Sequence, residues 1–331
     1  MLPAETIRRS IEERLLGLAL TGGATAGGPA GDVVYWTPAS GGLSRASVWR
    51  VGLGERAFAV RRSRAELDVT RFLWITDTLR GAYGSGLTYV AAPIEGRWPL
   101  REGETHFWEA AEWKEGEPLS ELAADATALQ AAAEGLAQFH WTLRIADRLE
   151  APGRSAFEYL HQLVCSPHRN GTLPHSRSLY EHWPELDAIS RLLPLSVVAA
   201  ARRLEPFYGE PTRPQPIHGD ARPEHFLISQ GKLTGLIDFG AMRRDTVLAD
   251  VARLAGELAL GDEARRDEVV GYYETAAERP VDRAAVAALD LAGAVLSAAN
   301  WLRWLGEKRA EAFDVELVCQ RLRAIAARLA C

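Results

Sequence analysis

The sequence predicts an α+β fold in two lobes. Residues 1–113 form an N-terminal lobe built on an antiparallel sheet, and residues 114–331 form a larger, mostly helical lobe. Three observations carry this. Short β-type runs separated by glycine-containing turns fill the first third of the chain. Beyond Gly116-Glu117-Pro118, apolar residues recur mostly at helical spacing. The length, 331 residues, is that of roughly two ordinary domains.

The elements follow in order. Thr6 to Leu18 sets Ile7, Ile11, Leu15 and Leu18 on one face and predicts an amphipathic helix. The Gly- and Ala-rich stretch Thr21–Gly31 reads as a loop. Val33–Trp36, Ala46–Val51 and Arg56–Arg62 read as strands, the last two joined by the hairpin turn Gly52-Leu53-Gly54-Glu55. Arg64–Leu79 has helical spacing, with Leu67, Phe72, Ile75 and Leu79 inward. Leu87–Ala91 and Thr105–Trp113 read as further strands. In the second lobe, Glu121–Arg144 and Leu192–Phe207 are helical, and Ala151–Ser178 is a partly irregular insertion. Ile217–Asp238 switches to short strands and turns. Thr246–Leu260, Asp262–Ala277, Asp282–Leu305 and Ala310–Ala330 read as four helices, two of them capped by Asp262 and Asp282.

Composition narrows the function. With 47% hydrophobic and 25% charged residues the chain is ordinary globular protein. A net charge of −6 denies it the basic field that grips nucleic acid, and mildly favours a cationic ligand. The three cysteines, Cys165, Cys319 and Cys331, are scattered, which argues against a disulfide framework or a zinc site and for the reducing cytoplasm. Arg8, Arg9, Glu12 and Glu13 interrupt any secretory signal. The apolar run Ala284–Leu302 contains Asp290 and reads as a buried core helix, not a membrane span. Lysine is nearly absent (Lys114, Lys232 and Lys308 only), so arginine stands where lysine is usual.

The chemistry concentrates in Ile217-His218-Gly219-Asp220-Ala221-Arg222-Pro223-Glu224-His225-Phe226-Leu227 and, further on, Leu236-Ile237-Asp238-Phe239-Gly240. Each aspartate follows a short apolar strand, and Ser229-Gln230-Gly231-Lys232 between them is a hairpin turn. The hairpin brings Asp220 and Asp238 together at one end of a β-ribbon. Two neighbouring carboxylates there suit a metal–nucleotide site, one orienting a hydroxyl and the other holding a divalent ion.

His-x-Asp followed by Ile-Asp-Phe-Gly resembles the catalytic loop and metal-binding segment of the protein-kinase-like superfamily, and His218-Gly219-Asp220 resembles its aminoglycoside phosphotransferase and choline kinase branch. Ser40–Val51 is similar to that branch's nucleotide loop and strand, Trp108–Gly116 to its interlobe hinge, Gly135–His140 to the following helix, and Asp245 with Asp250-Val251-Ala252 to the segment after the metal-binding aspartate. The resemblance spans about residues 33–260. It implies a two-lobed protein-kinase-like fold and a kinase that uses ATP with Mg2+ or Mn2+ to phosphorylate a small-molecule hydroxyl acceptor, with no nucleic acid, membrane or obligate protein partner. It implies that Asp220 is the catalytic base and Asp238 the metal ligand. Gly41, Gly42 and Ser44 would cover the phosphates, Arg61 would bind the α/β-phosphates, and the backbone at Ala111 and Trp113 would meet the adenine.

Three departures stand out. His225 occupies the place of the family's second metal-binding asparagine, and imidazole nitrogen suits softer ions than magnesium. Arg61 replaces the phosphate-binding lysine. The acidic partner of Arg61 is Glu66 or Asp68, with Glu66 preferred for its reach. Arg222, two residues after Asp220, resembles in its spacing a lysine of protein kinases, which implies that it would neutralise charge on the transferred phosphate. The competing reading is a pseudokinase, favoured by His225 and opposed by the intact aspartates. A Ser/Thr protein kinase is disfavoured because no activation segment ending in Ala-Pro-Glu follows Gly240. His140 and Asp250 read as structural, Asp250 as a helix cap.

Overall fold

The computed structural model describes residues 3–21, 34–39, 47–64, 68–96, 98–121, 123, 125–146, 156–166, 177–208, 214–307 and 314–330. The N-terminal sheet has strands β1 (Tyr35–Pro38), β2 (Ser47–Leu53), β3 (Arg56–Arg64), β4 (Leu100–Glu102) and β5 (His106–Glu112) in the order β1-β2-β3-β5-β4, all antiparallel. Period-two alternation buries Trp49, Val51 and Leu53 on β2 and Phe58 and Val60 on β3. Helix α1 (Glu5–Thr21) adds Ile11 and Leu15 to that core. Its Glu12 carboxylate accepts the Trp36 indole N–H at 2.8 Å, tying the helix to the edge strand.

The details differ from expectation in physically simple ways. Helix α2 (Val69–Gly84) starts late because β3 continues to Arg64 and Asp68 is the N-cap, accepting the Arg71 amide. Leu67, expected inward, lies outside the described residues. Leu87–Ala91 is not a strand: Val90 and Ala92 amides turn back onto Leu87 and Val90 carbonyls. The predicted loop at 22–31 lies outside the described residues.

The chain divides into two compact units, Met1–Glu115 and Gly116–Cys331. The second holds β6 (Glu117–Pro118), α3 (Ala126–Ala146), α4 (Ala156–Val164), α5 (Arg177–His182), α6 (Glu185–Leu204), β7 (Gln215–Ile217), β8 (Phe226–Ser229), β9 (Lys232–Leu236), β10 (Arg243–Asp245), α7 (Leu248–Ala259), α8 (Glu263–Ala277), α9 (Arg283–Gly306) and α10 (Val315–Leu329). The stretch expected to be irregular contains α4, whose Phe157 stacks on Phe207 with ring centroids 4.9 Å apart. Helix α6 begins at Glu185, well before the expected Leu192, and carries Pro194 inside it. Asp262, Asp282 and Asp314 cap α8, α9 and α10 through amides three residues on.

Helix α9 is long and apolar enough to cross a membrane, but 72% of its apolar window is buried inside the unit. Its Asp290 is buried and paired with Arg328 of α10 at 3.0 Å. Gly256 of α7 makes room for that pair: a Cβ there would stand 1.9 Å from an Asp290 carboxylate oxygen. Gly256→Ala should therefore displace a buried ion pair and cost about 2–4 kcal/mol, read by urea unfolding. An unchanged midpoint would refute the packing account.

Candidate active site

The site grows from the β-ribbon. Strand β7 delivers Ile217, the chain bends through Gly219, and a 3-10 turn, Pro223–His225, leads into β8. Strands β8 and β9 pair antiparallel, and the Ile237 amide donates to the His225 carbonyl at 3.0 Å, which closes the ribbon. Asp238 follows in a left-handed conformation and opens the turn Phe239–Ala241. The hairpin thus brings both aspartates to one end. His225 lies between them: its Nδ1 donates to the Asp220 carbonyl at 2.8 Å, and its Nε2 faces Asp238 Oδ2 at 3.8 Å. Gly219 is required here. Its φ is +81°, and a Cβ would meet the Ala241 carbonyl oxygen at 2.2 Å.

Asp250 holds this loop in shape and does not act as a helix cap. It is buried on the first turn of α7. One carboxylate oxygen accepts the His218 amide at 2.7 Å and the other the Gly219 amide at 2.8 Å. His140 of α3 donates from Nε2 at 3.1 Å, and its Nδ1 lies 2.8 Å from the Tyr273 hydroxyl of α8. Burial pushes the Asp250 carboxyl up, but the His140 hydrogen bond, the imidazole charges and the Gly219 amide outweigh it, so the group sits below its ordinary value. His218 is fully buried and burial pushes its pKa down; its Nε2 donates to the Ile237 carbonyl at 2.8 Å.

Asp220 carries a pair of guanidinium groups on Oδ1: Arg222 Nε at 2.9 Å and Arg253 Nε at 3.6 Å. Burial raises this carboxyl, but Arg222, Arg253 and His225 prevail and bring it down to about 2. The arginines are held in turn by carboxylates. Arg253 reaches Glu257 at 3.4 Å, and Arg222 lies 3.8 Å from Glu224. Arg321 of α10 bridges Glu224 at 2.5 Å and Glu257 at 2.8 Å, while Arg328 joins Glu257 at 2.7 Å to Asp290. Burial raises Glu257 as well, and Arg328, Arg222, Arg253 and Arg321 lower it to about 2. Arg253, Glu257, Arg321 and Arg328 escaped the sequence reading. The only local signal was the i,i+4 pair Arg253/Glu257 on α7.

In the first unit, Arg61 on β3 stands opposite Glu109 on β5, with Nε and Oε1 3.8 Å apart. Glu109 is thus one carboxylate partner of Arg61 that the sequence did not indicate, although cross-strand register explains it. Ala111 is interior to β5, in register with Ala59 and bridged to Pro93. The Trp113 amide donates to the Ala57 carbonyl at 3.0 Å, and the Arg50 guanidinium lies 5.8 Å from the Trp113 ring centroid. Gly41, Gly42, Ser44 and Glu66 lie outside the described residues.

Residues 36–289 match the family model described as phosphotransferase enzyme family. The chain belongs to that family. No curated protein sequence matches it. Solved structures share its fold. A spectinomycin phosphotransferase in complex with ADP and spectinomycin aligns with TM-score 0.66 at 12% identity, over 88% of this chain and 92% of its own. A thermostable mutant aminoglycoside phosphotransferase in ternary complex with AMP-PNP and hygromycin B gives 0.60 at 14%, over 95% and 97%. A microcompartment-associated aminopropanol kinase gives 0.59 at 17%, over 96% and 95%. This phosphotransferase-family chain therefore has the protein-kinase-like fold, with an antiparallel sheet in the N-terminal part and a mostly helical C-terminal part. Helix α10, which supplies Arg321 and Arg328, lies beyond the matched span.

Two tests follow from this geometry. Asp220 and Glu257 are depressed from ordinary values of 3.8 and 4.5 to about 2. Their stabilisation is complete above about pH 4.5 and is lost as pH falls toward 2. Circular dichroism during acid titration should show unfolding in that window, and Arg321→Ala should move its midpoint upward; an unmoved midpoint would remove Arg321 from the ionic set. Asp250→Asn keeps one acceptor oxygen but puts an amide NH2 against one of the two backbone N–H donors, and should cost about 2–4 kcal/mol in chemical denaturation. Unaltered stability would show that the clamp is dispensable.

Proposed function

We propose that this protein transfers the γ-phosphoryl group of ATP to a hydroxyl of a small molecule. The observation that carries this reading is the Asp220–His225–Asp238 arrangement, in which one imidazole ties the backbone carbonyl of Asp220, whose partly exposed carboxyl is held ionised, to the Asp238 carboxylate at the end of one ribbon. Membership of a phosphotransferase family supports it. So do relatives of the same fold, solved with ADP or AMP-PNP and an antibiotic.

In this reading Asp220 is the catalytic base. Both guanidinium contacts fall on Oδ1, so Oδ2 receives the acceptor hydroxyl. The acceptor oxygen bonds to the γ-phosphorus, the bond from that phosphorus to the β–γ bridging oxygen breaks, and ADP leaves with those electrons. The hydroxyl proton passes to Asp220. A carboxylate with a pKa of about 2 is a weak base, so its main work is orientation, with proton transfer late. Arg222 keeps Asp220 ionised and places positive charge beside the transferred group. In this reading Gly41, Gly42 and Ser44 would cover the phosphates, Arg61, which lies 3.8 Å from Glu109, would bind the α/β-phosphates with Glu66 as its expected acidic partner, and the backbone at Ala111 and Trp113 would meet the adenine.

Among the described residues no three His, Cys, Asp or Glu side chains converge as a cage for a metal. Asp238 and His225 offer two donors that would hold a divalent ion. Such an ion supplies neutralisation of phosphate charge.

The test is ADP release from ATP with a panel of amino-sugars, amino alcohols and sugars. At least one acceptor should be phosphorylated. Asp220→Asn should lower kcat by about 10²–10⁴-fold and Arg222→Ala by about 10²–10³-fold, with little change in ATP affinity. Nucleotide binding without transfer to any acceptor would favour a pseudokinase, the reading to which the histidine at position 225 points.

A further inference from the structure

We infer that His225 and Asp238 form a nitrogen–oxygen donor pair that takes a first-row transition divalent cation in preference to magnesium, and does so before nucleotide arrives. The inference rests on the proposed phosphotransferase site but concerns the chemistry of its ion.

The tautomer decides which nitrogen is available. A backbone carbonyl has no proton to give, so the 2.8 Å contact from His225 Nδ1 to the Asp220 carbonyl requires the proton on Nδ1. In the neutral ring Nε2 then carries the lone pair, and Nε2 is the atom that faces Asp238 Oδ2. A histidine whose far nitrogen is committed to a carbonyl is the usual arrangement of a metal-ligating imidazole. The 3.8 Å separation is too long for a hydrogen bond. Two donors about 2.1 Å from one ion stand roughly 3.0–3.5 Å apart at octahedral to tetrahedral angles, so a shift of a few tenths of an ångström closes the pair on an ion.

Both donors are held. The His225 ring stacks on His218 at 5.6 Å between centroids and 26° between planes. His218 is itself fixed by Ile237 and lies 4.8 Å from Phe239. The His225 carbonyl accepts the Ile237 amide, so the backbones of the two donors move together. An amide oxygen at position 225 would complete a hard, all-oxygen site. Imidazole nitrogen instead lowers the fit for Mg2+ and raises it along the series from Mn2+ through Co2+ to Zn2+.

The experiment titrates Co2+ into the metal-stripped full-length chain without nucleotide, followed by visible absorption and calorimetry. One site should saturate, and equimolar Mg2+ should not displace it. His225→Asn should weaken Co2+ at least about tenfold and narrow the gap between Co2+ and Mg2+, with a thermal melt confirming that the variant is folded. X-ray absorption at the cobalt edge of the wild-type chain should show imidazole scattering, which keeps the test valid should the variant fail to fold. Undiminished Co2+ binding in folded His225→Asn, displacement by equimolar Mg2+, or a cobalt shell without imidazole would each overturn the inference and leave His225 as a simple ion-pair partner of Asp238. Because these readouts need no turnover, they separate the two proposals: phosphoryl transfer with Mg2+ and no cobalt site sinks only this one, and a cobalt site without transfer to any acceptor sinks only the phosphotransferase reading.

Discussion

The loop that carries Asp220 depends on one buried carboxylate. The amide of His218 is buried and that of Gly219 partly so, and a buried N–H without a partner is costly. Asp250 satisfies both with its two oxygens, at 2.7 and 2.8 Å. A buried anion is tolerable only when several donors share its charge, and His140 supplies the third. Through His140 and Tyr273 the same group is tied to α3 and α8. The position of Asp220 is therefore set by three helices as much as by its own strand. Gly219 completes the requirement, since no side chain fits where its Cβ would stand.

A second constraint acts on the charge of Asp220. Arg222, Arg253, Arg321 and Arg328 interleave with Asp220, Glu224, Glu257 and Asp290, four cations with four anions. Glu257, Asp290 and Arg328 are buried and the other members are partly so, and each has at least one opposite neighbour within about the range where an ion pair offsets the desolvation penalty. Removing one member leaves its partners exposed to the full desolvation cost, so the set behaves as a unit. Its consequence is chemical: the carboxylate that would meet a hydroxyl stays ionised at any physiological pH. Its structural consequence is that α10, outside the span matched by the family, reaches the loop through Arg321 and Glu224.

His225 gives the site its own character. Family resemblance places an amide there; the imidazole ties to the Asp220 backbone carbonyl through Nδ1 and presents its other nitrogen to Asp238. A nitrogen donor thus stands where the resemblance expects an amide oxygen.

Much of this was legible in the residues alone. The alternation of Trp49, Val51 and Leu53, the caps at Asp262 and Asp282, and the hairpin between His225 and Ile237 are all short-range patterns. Period two, period 3.6 and capping act over a few residues, so the sequence by itself determined β2, β3 and β5, most helices and the hairpin that brings Asp220 and Asp238 to one end. It failed where one local signal contradicted another, as at the start of α6, which lies at Glu185 and not Leu192, at Leu87–Ala91, which turns instead of forming a strand, and at Asp68, which moved the start of α2. The tertiary structure alone decided that Asp250 clamps a loop and does not cap a helix, that Glu109 faces Arg61, and that Arg321 and Arg328 reach Glu257 from 64 and 71 positions away. Those contacts join groups far apart in the chain. Their energy comes from burial that exists only once the helices have packed, and no periodicity in the sequence records it.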